Sequence, residues 1–303
     1  MRKIIVVLVV LCAKIAQAQI YIDSYRFAQA GPVNLLLDDY PGAAAAYSLR
    51  KLDKDYTGSA IRIRTAGGSE TDIGFDSNGD LNTAAITTFC AGTTCTVATW
   101  YDQSGNGYNA TAAAANQPTI YTGGAVVTIS GKAAISFDGA NDFLQNTVYS
   151  QIGQTQISGF SVTQNNTSSV VIDFGYDGNT SGAFYIMNNT GIYLTSGFEG
   201  RWDVTNNYLA ISRFGTSTTS PLISGATIDG SLTKSYSSGV LRATGNPTEP
   251  YDFTSRIRIG SLFTPAFTAY YSFKISEFVI YHTDQTSNVT NIHSNQNSYY
   301  SIY

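Results

Sequence analysis

From Thr96 onward the chain is a succession of short apolar runs, each broken by Gly, Asn, Asp or Ser. They are Thr96–Tyr101, Val126–Ile129, Ala133–Phe137, Phe160–Thr163, Val170–Phe174, Phe184–Met187, Tyr208–Ser212, Arg256–Gly260 and Phe273–Tyr281. Short runs rich in β-branched and aromatic residues, closed by turn formers at this spacing, specify antiparallel strands packed as a sandwich. Before them, Ala60-Ile61-Arg62-Ile63-Arg64 alternates apolar and polar residues, the pattern of a half-exposed strand. Helical signals are few. Pro41-Gly42 opens Ala43–Leu52, whose four successive Ala and Leu49/Leu52 spacing predict a short packed helix ended by Tyr56-Thr57-Gly58. Asn82 is placed to cap a second short helix through Phe89. Val289, Ile292 and Gln296 recur at helical spacing in Asn288–Tyr299. The expected fold class is therefore all-β, an antiparallel sandwich with one or two short helices.

Composition excludes other classes. Of 303 residues, 43% are hydrophobic and only 13% charged, about half the usual charged share, and 21 Tyr and 15 Phe are present. Disordered chains pair low hydrophobicity with high charge, so disorder is excluded. A net charge of −4 without a Lys/Arg cluster offers no footprint for nucleic acid. No linker, repeat or low-complexity block divides the chain.

The N-terminus sets an expectation of export. Arg2 and Lys3 precede the apolar run Ile4–Ala13, and Ala16-Gln17-Ala18 puts small residues at −3 and −1, the pattern of a secretory signal over residues 1–18 cleaved before Gln19. A run of about ten residues is too short for a spanning helix, which needs about 20. Cys12 is a candidate lipid-bearing cysteine, but Leu11 stands where lipoprotein signals carry Gly, Ala or Ser. Loss of Arg2, Lys3 and Lys14 leaves 14 basic against 21 acidic residues, a net charge of −7. The mature chain, 19–303, is read as a single β-sandwich domain, secreted or at the cell surface. Its two remaining cysteines, Cys90 and Cys95, are expected to form a disulfide in such a compartment. With only His282 and His293 available, a zinc site is disfavoured.

Four segments carry a family resemblance. Ala45-Ala46-Tyr47-Ser48-Leu49-Arg50, Tyr56-Thr57-Gly58, Phe89-Cys90-Ala91-Gly92-Thr93-Thr94-Cys95 and Tyr101-Asp102-Gln103-Ser104-Gly105-Asn106-Gly107 follow one another in this order. Together they resemble the N-terminal half of the catalytic domain of α-L-arabinofuranosidase B, glycoside hydrolase family 54. The same segments, with the tail Ile280-Tyr281 through Tyr303, also resemble LamG-like jelly-roll proteins of bacteria and phages. The resemblance implies a concanavalin A-like sandwich (jelly roll), and retaining cleavage of terminal arabinofuranose from arabinan and arabinoxylan. Retention needs two carboxyl groups about 5–5.5 Å apart. The family's nucleophile is a Glu in a Met-Glu-Asn-Asn-like strand, and the nearest segment here is Ile186-Met187-Asn188-Asn189. Its acid/base Asp follows an Ile-Gly-Gly stretch, where this chain has Ile259-Gly260-Ser261-Leu262. Its paired-cysteine platform is matched by Val171–Gly175, which lacks Cys.

Other residues offer candidate chemistry. Glu199 and Asp203 flank Arg201-Trp202, and a sugar ring packs its apolar side on an aromatic face such as Trp202. These two are the candidate catalytic carboxylates, the alternative being a solvated turn. Trp100, Tyr101 and Asp102 are a candidate ligand rim, the alternative being an Asx turn in which Asp102 caps its own backbone. Asp138-Gly139-Ala140-Asn141-Asp142 clusters oxygens of the kind Ca²⁺ takes, but it does not follow the EF-hand spacing, so no cofactor is assigned. The expected partner is a polysaccharide or glycan, arabinose-containing if the resemblance extends to ligand, with neither nucleic acid nor a membrane span. The favoured reading is carbohydrate recognition without the catalytic pair. An active arabinofuranosidase-like hydrolase and a structural or adhesive surface module remain as alternatives.

Overall fold

The structure, a computed structural model, describes residues 35–149, 154–165, 170–174, 183–188, 191–195, 208–210, 220–229, 232–245, 256–263 and 268–303. The expected signal segment 1–18 with Cys12, and the candidates Glu199, Trp202 and Asp203, lie outside the described residues.

Two antiparallel sheets face each other. The larger is organised on the Ser272–Tyr281 strand. Ala43–Ser48 and Ile135–Asp138 pair end to end along one side of it, and Ile157–Asn165 pairs along the other. Pro221–Ile228, Thr233–Ser237 and Val240–Gly245 follow in order. The second sheet runs Glu70–Ile73, Ile61–Thr65, Cys95–Trp100, Ala110–Thr111, Leu144–Asn146, Ile257–Ile259, Val170–Phe174, Ala183–Asn188, Gly191–Thr195 and Tyr208–Ala210. Thr119–Thr122 joins the two, pairing with Cys95–Trp100 and, through Thr119, with Ser136. Between the sheets lie Tyr47, Phe137, Phe273, Ile275 and Phe278 from one side and Ile61, Ile63, Trp100, Ile257 and Ile259 from the other. This is the sandwich that the run-and-turn pattern predicts.

Ala43–Leu52 departs from expectation. Its first six residues form a strand, every one of them buried, in place of the predicted helix. Alanine's intrinsic helix preference amounts to a few tenths of a kcal/mol per residue over its neighbours and yields to tertiary packing. Here Ala45 and Tyr47 face the inter-sheet core while Ala43 and Ala46 face a second apolar layer, so small side chains suit a strand enclosed on both sides.

That second layer covers the outer face of the larger sheet. The helix Val289–Tyr300 lays Val289 and Ile292 against Phe160, Val279, Tyr281 and Leu36, and Tyr300 against Val162 and Ile223. It ends where Ser301 turns left-handed at φ 51°, with the Asn297 side chain accepting from the Ile302 and Tyr303 amides. The short helix Thr83–Phe89 starts as expected: the Asn82 side chain accepts from the Ala85 amide at 3.1 Å.

One bulge decides which side each residue of the central strand takes. Val162 opposes Glu277 and Thr163 opposes Ile275, leaving Ser276 as the extra residue. The insertion lets Ile275 and Phe278 both enter the core, and turns Glu277 outward to the helix, where it meets Gln296 and Tyr300.

Candidate functional site

The most distinctive motif of the sequence does architectural work. Asp102 is buried and accepts four hydrogen bonds, through Oδ1 from the Ala46 and Ser104 amides at 2.8 and 2.9 Å, and through Oδ2 from the Ser104 hydroxyl and the Tyr108 amide at 2.8 and 3.0 Å. Gln103 accepts from the Leu52 amide at 2.9 Å and donates to the Ser48 and Arg50 carbonyls, both at 3.0 Å. Asn106 donates to the Ala43 and Ala44 carbonyls. The loop thus stands in for a neighbouring strand along Ala43–Leu52 and satisfies its backbone with side chains. Trp100 is completely buried, its ring 5.7 Å from that of Tyr47. Trp100 thus lies in the core, and Asp102 takes the Asx-turn arrangement that stood as the alternative to a ligand rim, clamping the turn. Tyr101 is partly exposed, and its hydroxyl donates to Asp72 at 2.8 Å.

Cys90 and Cys95 form the expected disulfide, tying the end of the Thr83–Phe89 helix to the start of the next strand. In the Asp138–Asp142 turn, Asp138 accepts from the Ala140 and Asn141 amides, and Asp142 accepts from the Asp138 amide. Burial first, then the charge of Asp138, pushes the Asp142 carboxyl up to about 6. These oxygens serve the turn itself, as in an Asx turn. Among the described residues no three His, Cys, Asp or Glu side chains converge on a point where a metal ion would sit. No helix among them is long and apolar enough to cross a membrane.

A continuous polar row does exist, on the outer face of the second sheet. Directly opposed residues of an antiparallel pair stand on the same face. Following register from the edge, Asp72 opposes Arg62, Arg62 opposes Thr99, Thr99 opposes Thr111, Thr111 opposes Gln145, and Gln145 opposes Arg258. Positions 173, 185 and 193, which hold Asp, Tyr and Tyr, continue the register. At about 4.8 Å per strand the row extends roughly 38 Å. The Arg62 guanidinium pairs bidentately with Asp72, both contacts 2.8 Å, and holds that carboxyl below its ordinary range.

Arg258 is the most constrained member. It is nearly buried, donates through Nε to the Ser261 hydroxyl and through Nη1 to Gln145 Oε1, and lies 3.9 Å from the centroid of the Phe143 ring. Gly260 makes this possible. Its φ of +98° and the approach of the Phe137 ring leave no room for a Cβ, and the bend it introduces returns Ser261 to Arg258. Arg258, Gln145, Phe143 and Ser261 were not singled out from the sequence. The available signal was a charge between two Ile in Ile257-Arg258-Ile259, which marks the face away from the core.

A sequence model described as "Alpha-L-arabinofuranosidase B, catalytic" matches residues 37–170. The chain resembles the catalytic domain of α-L-arabinofuranosidase B. An α-L-arabinofuranosidase of Hypocrea jecorina is 41% identical over 86 residues, 28% of this chain and 17% of that protein. Alpha-L-arabinofuranosidase B of Aspergillus oryzae is 36% identical over 129 residues, 37% of this chain and 25% of that one. The match thus spans a quarter or less of these relatives. A mutant glycoside hydrolase family 54 α-L-arabinofuranosidase soaked with 4-nitrophenyl α-L-arabinofuranoside shares the fold, with a TM-score of 0.65 at 18% identity over 84% of this chain and 62% of that one. The same enzyme type soaked with a cyclic sulfate inhibitor gives 0.63 at 17% identity, with the same coverage. The Asp102 loop, the disulfide and the Ala43–Ser48 strand all fall within the residues matched to arabinofuranosidase B. All three are supports of the sandwich, so the resemblance is carried by the parts that build the fold.

Proposed function

We propose that the chain is an exported carbohydrate-recognising sandwich that takes arabinose-containing glycan on the outer face of its second sheet and does not cleave it. The observation that carries this reading is the polar row through Arg258. Thr99, Thr111 and Gln145 at successive strands offer directional hydrogen bonds to sugar hydroxyls, Arg258 holds the Gln145 amide in place, and strand positions 185 and 193 continue the same register. Neither Ile186-Met187-Asn188-Asn189 nor Ile259-Gly260-Ser261-Leu262 carries a carboxyl group, and strand positions 72 and 173, the acidic positions of the row, are six strand steps apart, about 29 Å. Retaining hydrolysis needs about 5 Å.

Calorimetric titration with arabinoxylan and arabinan oligosaccharides tests the reading. Saturable binding is expected, weakened at least tenfold by Thr111→Trp, which puts a bulky ring on an exposed strand position of the row. No 4-nitrophenol should be released from its arabinofuranoside. Turnover abolished by Glu199→Gln or Asp203→Asn would instead establish the hydrolase. Absence of binding to every arabinose-containing glycan would sink the proposal in favour of an adhesive module.

A further inference from the structure

His293 sits in the middle of the C-terminal helix, fully buried against the outer face of the larger sheet. Its Nδ1 accepts the Gly239 amide at 2.7 Å. Its ring stands edge-on to Phe160, centroids 5.7 Å apart, and its Nε2 is turned to the Ser224–Gly225 backbone, where a Cβ on Gly225 would approach to 2.7 Å. An Nδ1 that accepts a backbone N–H must carry a lone pair, so the ring is the neutral tautomer protonated on Nε2. A second proton on Nδ1 would set one donor against another in a site with no space for the ring to turn aside.

The partner of this bond is the Ser238–Gly239 turn, which joins Thr233–Ser237 to Val240–Gly245 with both residues at positive φ, 49° and 75°. The bond therefore ties helix to hairpin. The groups facing the ring are Phe160 from one strand, Ser224 and Gly225 from the next, and Gly239 from the turn. The titratable groups on those elements and the tail are Lys234, Tyr236, Arg242 and Tyr303. Glu277 and Arg50 meet the same helix farther along, at Asn295, Gln296 and Tyr300, where they occupy each other. No carboxylate among the described residues offers His293 a countercharge.

We propose that protonation of His293 is an acid-triggered release, freeing the helix Val289–Tyr300 from the Ser238–Gly239 turn and uncovering the outer face of the larger sheet while the sandwich stays folded. Burial pushes the His293 imidazole down to about 4, against about 6.5 when released into water. Below pH 6.5 the released state takes up the proton and the docked state does not. The docked state therefore loses tenfold in relative population per pH unit down to about pH 4, about 300-fold in all, and nothing further below.

Hydrogen exchange read by mass spectrometry, corrected for intrinsic rates, tests this on the full chain. Between pH 7 and pH 4.5, opening of residues 233–245 and 289–303 should rise roughly 100-fold while 61–65 and 95–100 stay protected. His293→Asn, whose amide oxygen offers an acceptor near the Nδ1 position but does not titrate, should remove that rise. An equal acid response in the variant, or uniform opening across all four segments, would overturn the proposal. Should the variant not fold, the ¹⁵N shifts of the native imidazole decide: Nδ1 stays unprotonated to below pH 5 if the release operates, whereas titration near 6.5 with the helix still docked overturns it.

Discussion

The Ser272–Tyr281 strand shows two faces that are both buried and chemically unlike. Inward, Phe273, Ile275, Phe278 and Ile280 pack into the apolar core of the sandwich. Outward, Glu277 has no exposed surface and is surrounded by Arg50 Nε at 2.7 Å, Arg50 Nη2 at 3.1 Å, Ser48 Oγ at 3.0 Å, Gln296 Nε2 at 3.1 Å and Tyr300 Oη at 3.2 Å. Burial pushes the Arg50 guanidinium down, but the charge and hydrogen bonds of Glu277 outweigh it and hold Arg50 above its ordinary value. Burial beside Glu277 also holds the Tyr300 phenol well above its usual range. The inner face accommodates any apolar set of the right volume. The outer face is a network in which each group depends on the others, so it specifies where the helix docks more than it adds stability.

The largest test of that contrast is Glu277→Ala. It strands a buried guanidinium and should cost about 3–5 kcal/mol in guanidinium-chloride unfolding, whereas Arg50→Met with Glu277→Leu should restore most of that loss. A single-mutant cost under about 1 kcal/mol would end the distinction between the two faces. Next comes Asp102→Ala, which leaves the buried amide of Ala46 without its acceptor and should cost about 3 kcal/mol, without altering sugar binding on the opposite sheet. Loss of binding in parallel would return Asp102 to the ligand site. Smallest is removal of the Cys90–Cys95 bond by Cys90→Ser with Cys95→Ser. The loop closed is short, so about 2 kcal/mol is expected, read as a lower unfolding midpoint at unchanged slope.

Legibility followed the same division. Ile61–Thr65 announces itself because it packs one apolar face on the core and alternates accordingly, and Cys95–Trp100 by its short apolar run closed by turn formers. The Asn82 cap and the final helix were equally readable, being local arrangements of backbone and nearby side chains. Ala43–Ser48 misled because its fitness as a strand comes from neighbours more than 200 residues away, at 277–281. Arg258 went unmarked for a related reason. A single charge between two Ile looks like any solvated strand residue until Gln145, Phe143 and Ser261 close around it.

By itself the sequence determined a strand-built chain low in charge, a disulfide between its two central cysteines, and the motifs that resemble arabinofuranosidase B. These follow from periodicity, composition and spacing, which are properties of neighbours along the chain. Only the tertiary structure decided that the Tyr-Asp-Gln-Ser-Gly motif is a clamp, that Glu277 faces the helix, and that a polar row crosses the second sheet. Each depends on a bulge, a glycine bend or a strand register. One residue's shift in any of them exchanges a buried face for an exposed one.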